Sequence, residues 1–173
     1  MKKSVKSVVM LLVVCGVIAL SLAVTNYITS PIIAQKEAEL IKESLLVVMP
    51  DGVEFKELDI SSAQLPETVT EAYSSSNGGY VFKLEATGYS SGLVILCGVY
   101  ADGTVSGATC VSSNETLGYE KTYGNAFVGS MYKNIGSVDT VAGATKTTEA
   151  YRSAINDAVN AAEYLENAKG GTE

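Results

Sequence analysis

Histidine and tryptophan are absent from the 173-residue sequence, and cysteine occurs only three times. Without histidine, the chain cannot build a Ser-His-Asp triad, a histidine-based metal site or a histidine proton shuttle. Cys15 falls in an apolar segment, which leaves Cys97 and Cys110 for the rest of the chain. Three cysteines without paired motif spacing argue against an iron–sulfur cluster held by this chain. We therefore predict no catalytic residues and no metal site.

Basic residues are scarce outside the N-terminus. The net charge is −7, from 12 Lys and Arg against 19 Asp and Glu, and three of the lysines, Lys2, Lys3 and Lys6, precede the apolar segment. Without those three, 9 basic residues stand against the same 19 acidic ones, a net charge of −10. Nucleic acid is not an expected partner, because a phosphate backbone requires a basic face.

Charge is also absent from Ser7 to Gln35, and Val8 to Val24 consists almost entirely of apolar residues. This run approaches the roughly 20 residues needed to cross a bilayer. With lysines on its N-terminal side, it predicts a cytoplasmic N-terminus at residues 1–6 and a single-pass anchor in the cell (inner) membrane at residues 7–29. A cleavable signal peptide is the alternative, but the apolar stretch continues past its candidate cleavage site.

Two segments are expected to follow the anchor. Ser30-Pro31 predicts the start of a new helix, with serine as N-cap and proline at the first helical position. This helix, a juxtamembrane stalk over residues 30–50, carries charges at Lys36, Glu37, Glu39, Lys42 and Glu43. Pro50-Asp51-Gly52 should end it. Residues 51–173 would then form an extracytoplasmic domain.

Three apolar runs bounded by turn residues predict strands at Gly79–Ala86, Gly92–Tyr100 and Thr104–Val111. The stretch from Glu54 to Ser76 is polar, and we expect irregular structure there with a short helix or strand. Asp102-Gly103 predicts a tight turn between the last two strands.

Pairing around this turn sets Cys97 opposite Ala108 and Cys110 opposite Ile95, so the two thiols do not face each other. Both cysteines are interpreted as buried small hydrophobes.

Helical spacing recurs twice in the C-terminal third. Tyr123, Phe127, Met131 and Tyr132 are interpreted as core contacts on this basis. After Thr148, one apolar face predicts a helix to about Asn167, terminated by Gly170-Gly171. The residues of that face are Tyr151, Ile155, Ala158, Ala162 and Leu165. Together these elements predict an α+β fold, an antiparallel sheet with packed helices.

The start of that helix carries the most informative motif, Asp139-Thr140-Val141-Ala142-Gly143-Ala144-Thr145, followed by Lys146-Thr147-Thr148. Small residues let the backbone approach a ligand closely, and free N–H groups at a helix N-terminus favour a phosphate. A threonine-capped helix without a ligand has the same local pattern. Spacing alone does not separate the two interpretations.

The motif resembles the Asp-x-x-Ser-Gly-Ala-Thr signature of the FMN-binding domains found in the G subunit of Rnf complexes and in the C subunit of the sodium-pumping NADH:quinone reductase. In that family an FAD:protein FMN transferase attaches FMN to the last threonine through a phosphoester, which implies attachment at Thr145. Asp139 would orient the motif or serve the transferase, and Lys146 would either neutralise phosphate charge or remain solvated. Ala142 departs from the family pattern, which has serine or threonine there.

A second motif supports the resemblance. Glu115-Thr116-Leu117-Gly118 is similar to the family's Glu-Thr-Pro-Gly loop, which lies against the flavin, with leucine in place of proline. Leu117 and the following Tyr119 would offer apolar and aromatic surface to the isoalloxazine ring. The segment around Gly88-Tyr89 is similar to another family motif. The predicted cofactor-binding residues are Glu115, Thr116, Leu117, Gly118, Asp139, Ala142, Gly143, Ala144, Thr145, Lys146 and Thr147.

The resemblance, which extends to the anchor and the Thr29-x-Pro31-Ile32 segment, implies a membrane electron-transfer protein with covalent FMN. It would act as part of a redox-driven enzyme, an ion-translocating ferredoxin:NAD⁺ oxidoreductase (Rnf) complex, with membrane and iron–sulfur subunits as partners. Three alternatives remain open at this point. They are the C subunit of the sodium-pumping quinone reductase, a free-standing flavinylated electron carrier, and a binding module without a cofactor.

Overall fold

A computed structural model describes residues 2–170, without the side chains of residues 2–5, 34, 37, 38 and 170. The chain divides into two compact units, Met1–Glu39 and Leu40–Glu173. The predicted roles of the Lys2, Lys3 and Glu37 side chains and of Gly171 lie outside the described residues. The assignment of functional segments along the chain stays a prediction.

The first helix, α1, runs from Lys2 to Val48 and has Pro31 in its interior. The prediction that a new helix begins at Ser30 is therefore wrong. The fixed φ of proline is compatible with a helix, and α1 continues through Pro31 although proline lacks an N–H donor and its ring crowds the carbonyl of the residue four positions earlier. Within α1, Lys6–Ile33 is long and apolar enough to cross a membrane, which supports a single anchor.

The second unit contains a five-stranded antiparallel sheet whose strands follow one another in chain order. The strands are β1 (Lys56–Leu58), β2 (Val69–Ser75), β3 (Gly79–Ala86), β4 (Leu93–Tyr100) and β5 (Val105–Ser112). The three predicted strands and the α+β class are confirmed. Strands β1 and β2 both lie between Glu54 and Ser76, where the sequence predicts irregular structure with one short helix or strand. Strand β2 is harder to recognise because its polar residues carry little apolar signal.

The register of β4 and β5 agrees with the prediction from the turn. Cys97 pairs with Ala108 and Cys110 with Ile95, and the two cysteines are free. Cys97 is buried as predicted, whereas Cys110 is only half-buried. Burial raises the pKa of both thiols, that of Cys110 to about 11, so neither is a thiolate near neutral pH.

The long C-terminal helix, α4 (Thr145–Gly170), covers one face of the sheet. Four of the five residues of its predicted apolar face are buried, and Leu165 is partly buried against the same core. The helix begins at Thr145, the last residue of the motif predicted to lie at its start, and it extends to Gly170, past the predicted end near Asn167. On the other face, the end of α1 packs through the side chains of Ile41, Leu45 and Val48, together with Met49, which directly follows the helix.

Three short helices precede α4: α2 (Glu120–Tyr123), a 3-10 turn (Gly124–Phe127) and α3 (Tyr132–Ile135). Tyr123 and Phe127 are buried, but Met131 and Tyr132 are 46% and 56% exposed. The prediction that all four are core contacts is therefore wrong for the last two. The helical spacing is interrupted at Gly129, which lies between the 3-10 turn and α3. Its positive φ of 78° changes the direction of the chain there.

A pair of facing glycines lets α1 end directly on the sheet. Gly98 and Gly107 are partners in β4 and β5, and a Cβ atom on either would lie 2.7 Å from the carbonyl oxygen of Val48. That carbonyl accepts a 2.7 Å hydrogen bond from the Ser106 hydroxyl. Glycine inside a strand often marks such a close backbone approach.

The Glu71→Gln variant is expected to lose about 1–3 kcal/mol of stability at pH 7, because glutamine leaves the buried ammonium of Lys83 with an uncharged, weaker acceptor. Glu71 accepts hydrogen bonds from Lys83 at 2.9 Å and from Tyr73 at 2.6 Å. Burial alone would raise the pKa of Glu71, but these two bonds hold it below its ordinary 4.5.

A carboxyl group whose pKa is lower in the folded state than in the unfolded state stabilises the fold at pH values above its unfolded-state pKa. This stabilisation is lost as the pH falls through the folded-state pKa. The difference in the free energy of unfolding between wild type and Glu71→Gln should therefore disappear in acid. Urea unfolding across the pH range measures it. An unchanged difference below the folded pKa would contradict the assignment.

Candidate functional site

The first turn of α4 presents unused hydrogen-bond donors. Within the described chain, the backbone N–H groups of Thr145, Lys146 and Thr147 donate to no protein acceptor. The Thr145 side chain is exposed, and its hydroxyl makes no hydrogen bond with any described residue. Lys146 is also exposed and forms no salt bridge there. Three free N–H groups at the positive end of a helix, next to a free hydroxyl, suit a phosphate group.

The turn before α4 is fixed by Thr148, which is fully buried. Its hydroxyl shares one proton between the carbonyls of Ala144 at 3.0 Å and Thr145 at 3.2 Å, and accepts the Val141 N–H at 3.2 Å. Gly143 has a φ of +86°, which glycine adopts without strain. The motif therefore folds back on the helix that it begins, and Thr145 lies at the junction.

Replacing Thr148 with valine is expected to lower the free energy of unfolding by about 1–3 kcal/mol, because the Val141 N–H loses its acceptor. Because valine and threonine are nearly the same size, the decrease in the free energy of unfolding measures the loss of the hydrogen bonds of Thr148. Urea unfolding of the full chain in detergent measures it. Thr122→Val is the matched control, since Thr122 is exposed, and should change stability by less than about 0.5 kcal/mol. Equal stabilities of the two variants would contradict this role of Thr148.

Asp139 lies at the other end of the motif, among bonds that hold the backbone. The Tyr123 hydroxyl donates to the Asp139 carbonyl at 3.0 Å, and the Arg152 guanidinium donates to the Val138 carbonyl at 3.1 Å. These two long side chains anchor the motif to α2 and α4.

Both sequence motifs meet at one cleft of about 470 Å³, here named the Thr145 cleft. Its lining residues are Tyr89, Glu115, Thr116, Leu117, Tyr119, Glu120, Gly143, Ala144, Thr145, Lys146 and Thr147. Eight of the eleven predicted residues are among them. Asp139, Ala142 and Gly118 are not, although they lie in the segments that shape the cleft. The volume is within the range of about 300–1,000 Å³ typical of small-molecule sites.

The outer part of the cleft is apolar and aromatic. Tyr89, Leu117 and Tyr119 line it and are 71%, 60% and 44% exposed. Exposed large side chains beside a polar helix end suit a ligand with an anionic group and a flat aromatic ring.

Glu120 is a lining residue that the sequence did not reveal. It is only 2% exposed, and its carboxylate accepts a 2.7 Å hydrogen bond from the Ser113 hydroxyl. A glutamate that directly follows a polar loop gives no sequence signal of burial. Among the residues that the structure describes, no group of three or more acidic, cysteine or histidine side chains is arranged to hold a metal ion.

Comparisons with known proteins agree with this geometry. Residues 88–160, which contain both motifs, match the FMN-binding domain family. The chain is similar to the G subunit of the Na(+)-translocating ferredoxin:NAD(+) oxidoreductase complex of Acetobacterium woodii, with 27% identity over 185 aligned positions, 90% of this chain and 89% of the relative. It is also similar to the G subunit of the proton-translocating ferredoxin:NAD(+) oxidoreductase complex of Clostridium ljungdahlii, with 25% identity over 86% of each chain.

A third relative is the G subunit of the ion-translocating oxidoreductase complex of Cereibacter sphaeroides. It is 35% identical over 107 residues, which are 58% of this chain and 49% of that protein. The resemblance inferred from the two motifs is confirmed by these relatives and by the domain match.

Proposed function

We propose that this chain, whose residues 88–160 form an FMN-binding domain, is the membrane-anchored electron-transfer subunit of an ion-translocating ferredoxin:NAD⁺ oxidoreductase complex. Two relatives named as the G subunits of such complexes support this over most of the chain. The observation that carries the proposal is the exposed Thr145 hydroxyl, which lies in a cleft lined by both motifs and beside three free N–H groups.

Thr145 is the proposed attachment point of the flavin. The transferase would split the pyrophosphate of FAD, join the FMN phosphate to the threonine oxygen, and release AMP and the hydroxyl proton. The N–H groups at the start of α4 and the Lys146 ammonium would hold the bound phosphate. Exposure of the Thr145 side chain supports this chemistry, because the transferase must reach the oxygen.

The isoalloxazine ring would lie against Tyr89, Leu117 and Tyr119, which provide apolar and aromatic surface in the same cleft. When bound, FMN supplies one- and two-electron redox chemistry that no amino-acid side chain here offers. The protein would hold the cofactor in this cleft, which the buried Glu120 also lines.

The lysines before the anchor favour a cytoplasmic N-terminus and a flavin domain outside the cytoplasm. A single flavin on this domain needs an electron donor and an acceptor within reach. The proposed partners are therefore the membrane and iron–sulfur subunits of the complex, with the FAD:protein FMN transferase acting during maturation.

Affinity purification of the tagged full chain from its host's membranes tests the assignment to a complex. We expect cluster-carrying subunits to co-purify, and the isolated complex to reduce NAD⁺ with reduced ferredoxin. The assignment would be overturned if the flavinylated chain purified alone and host membranes lacking this chain still reduced NAD⁺ with reduced ferredoxin. That result would favour the free-standing carrier.

A further inference from the structure

The Glu115 carboxylate joins three segments around the Thr145 cleft. Its Oε1 accepts the Ser90 N–H at 3.0 Å, and its Oε2 accepts the Thr147 hydroxyl at 2.7 Å. Ser90 belongs to the loop between β3 and β4, Glu115 to the loop after β5, and Thr147 to the first turn of α4. We name these three residues the Glu115 clamp.

The clamp depends on a close approach that only glycine permits. A Cβ atom on Gly88 would lie 2.6 Å from Glu115 Oε1 and 2.9 Å from the Thr147 Cα. The loop that carries Tyr89 therefore packs directly on the start of α4, and Tyr89 reaches the same cleft as Thr145.

The hydrogen bonds also indicate what Glu115 does not do. Both carboxylate oxygens are already bonded to the protein, and a carboxylate repels the phosphate that the neighbouring N–H groups favour. Its role is thus not that of a phosphate ligand.

We infer that Glu115 is a positioning residue, which holds the Tyr89 loop against the first turn of α4 so that the ring and phosphate parts of the cofactor site face one cleft. This inference rests on the proposed function, because it assigns a role within the FMN site. It differs from a direct contact of the carboxylate with the flavin, which the sequence motif had implied.

The two roles predict opposite effects when the charge is removed. If Glu115 were only a negative charge near the phosphate, Glu115→Gln would increase the rate of FMN incorporation. If Glu115 positions the loop, the glutamine amide can replace only one of the two acceptor oxygens, and the rate should fall about tenfold. Asn114, which donates to the Ser91 carbonyl at 3.0 Å, still links the two loops in the variant.

The experiment uses the full chain co-expressed with the transferase. It measures the time course of covalent FMN incorporation and, in the purified proteins, the visible circular dichroism of the flavin. Wild type is compared with Glu115→Gln, Thr147→Val, Thr147→Ser and the double variant E115Q/T147V. Glu149→Gln is the matched control, because Glu149 is an exposed carboxylate one turn along α4.

We expect slower incorporation and a changed flavin dichroism in E115Q and T147V, partial rescue in T147S, and no change in Glu149→Gln. The double variant should incorporate FMN little more slowly than either single variant, since both substitutions disrupt the same contact between Glu115 and Thr147. Unchanged or faster incorporation in E115Q, with a normal wild type, would overturn the clamp alone. A wild type that takes up no FMN beside an active transferase control would overturn the proposed function and this role with it.

Discussion

Thr145→Ala is expected to abolish covalent flavin completely, because alanine has no oxygen to form the phosphoester. Flavin fluorescence in a denaturing gel measures this directly, since only covalently held FMN survives denaturation. The folded chain should be unaffected, because Thr145 is exposed and its hydroxyl has no protein partner among the described residues. Its free energy of unfolding should change by less than about 0.5 kcal/mol.

The Thr145→Ser variant distinguishes loss of the attachment oxygen from disruption of the binding site around it. Serine keeps a hydroxyl at the same position, so some fluorescence should remain, whereas alanine should leave none. A fluorescent band in Thr145→Ala as strong as in wild type would contradict attachment at this residue. It would direct attention to Thr147 or Thr116, the other threonines that line the cleft.

The second large effect is expected at Gly124. A Cβ atom there would lie 2.1 Å from the Ala108 carbonyl oxygen and 2.6 Å from the Tyr151 hydroxyl. Since a backbone carbonyl in a sheet cannot move freely, Gly124→Ala must displace the turn that follows α2 or distort β5. We expect a loss of about 3 kcal/mol in the free energy of unfolding.

Urea unfolding of the full chain in detergent, followed by circular dichroism, measures the loss at Gly124. Gly136→Ala is the matched control, because its φ is −63° and a Cβ atom there meets nothing within 4 Å. That variant should be neutral or slightly stabilised. If both variants had the stability of the wild type, the close packing of α2 on β5 would be contradicted.

Local patterns in the sequence account for most of the sheet. Strand β4 is apolar on both faces because it lies between α4 and the end of α1, and such a run is recognisable without a structure. Strand β2 is not, since exposed and half-buried polar residues interrupt it. Pro31 misled the prediction of helix boundaries, because a proline at the first position of a helix and a proline inside a continuous helix have the same local sequence pattern.

The candidate site was predictable only as two separate motifs. The pattern around Thr145 is local, and so is the Glu115–Gly118 loop, so each was recognisable in the sequence. Their meeting in one cleft depends on tertiary packing across 32 residues, as the hydrogen bond between Thr147 and Glu115 illustrates. The burial of Glu120 has the same origin, since it follows from how α2 packs on β5.

The measurement that tests the central claim most directly is peptide mass spectrometry of the wild-type chain, purified in full from cells that contain the transferase. We expect the peptide containing Thr145 to carry the mass of FMN less one water, and fragmentation to assign this mass to the Thr145 side chain. An unmodified Thr145 peptide at full sequence coverage, from cells whose transferase modifies a control protein, would contradict covalent attachment of FMN at Thr145.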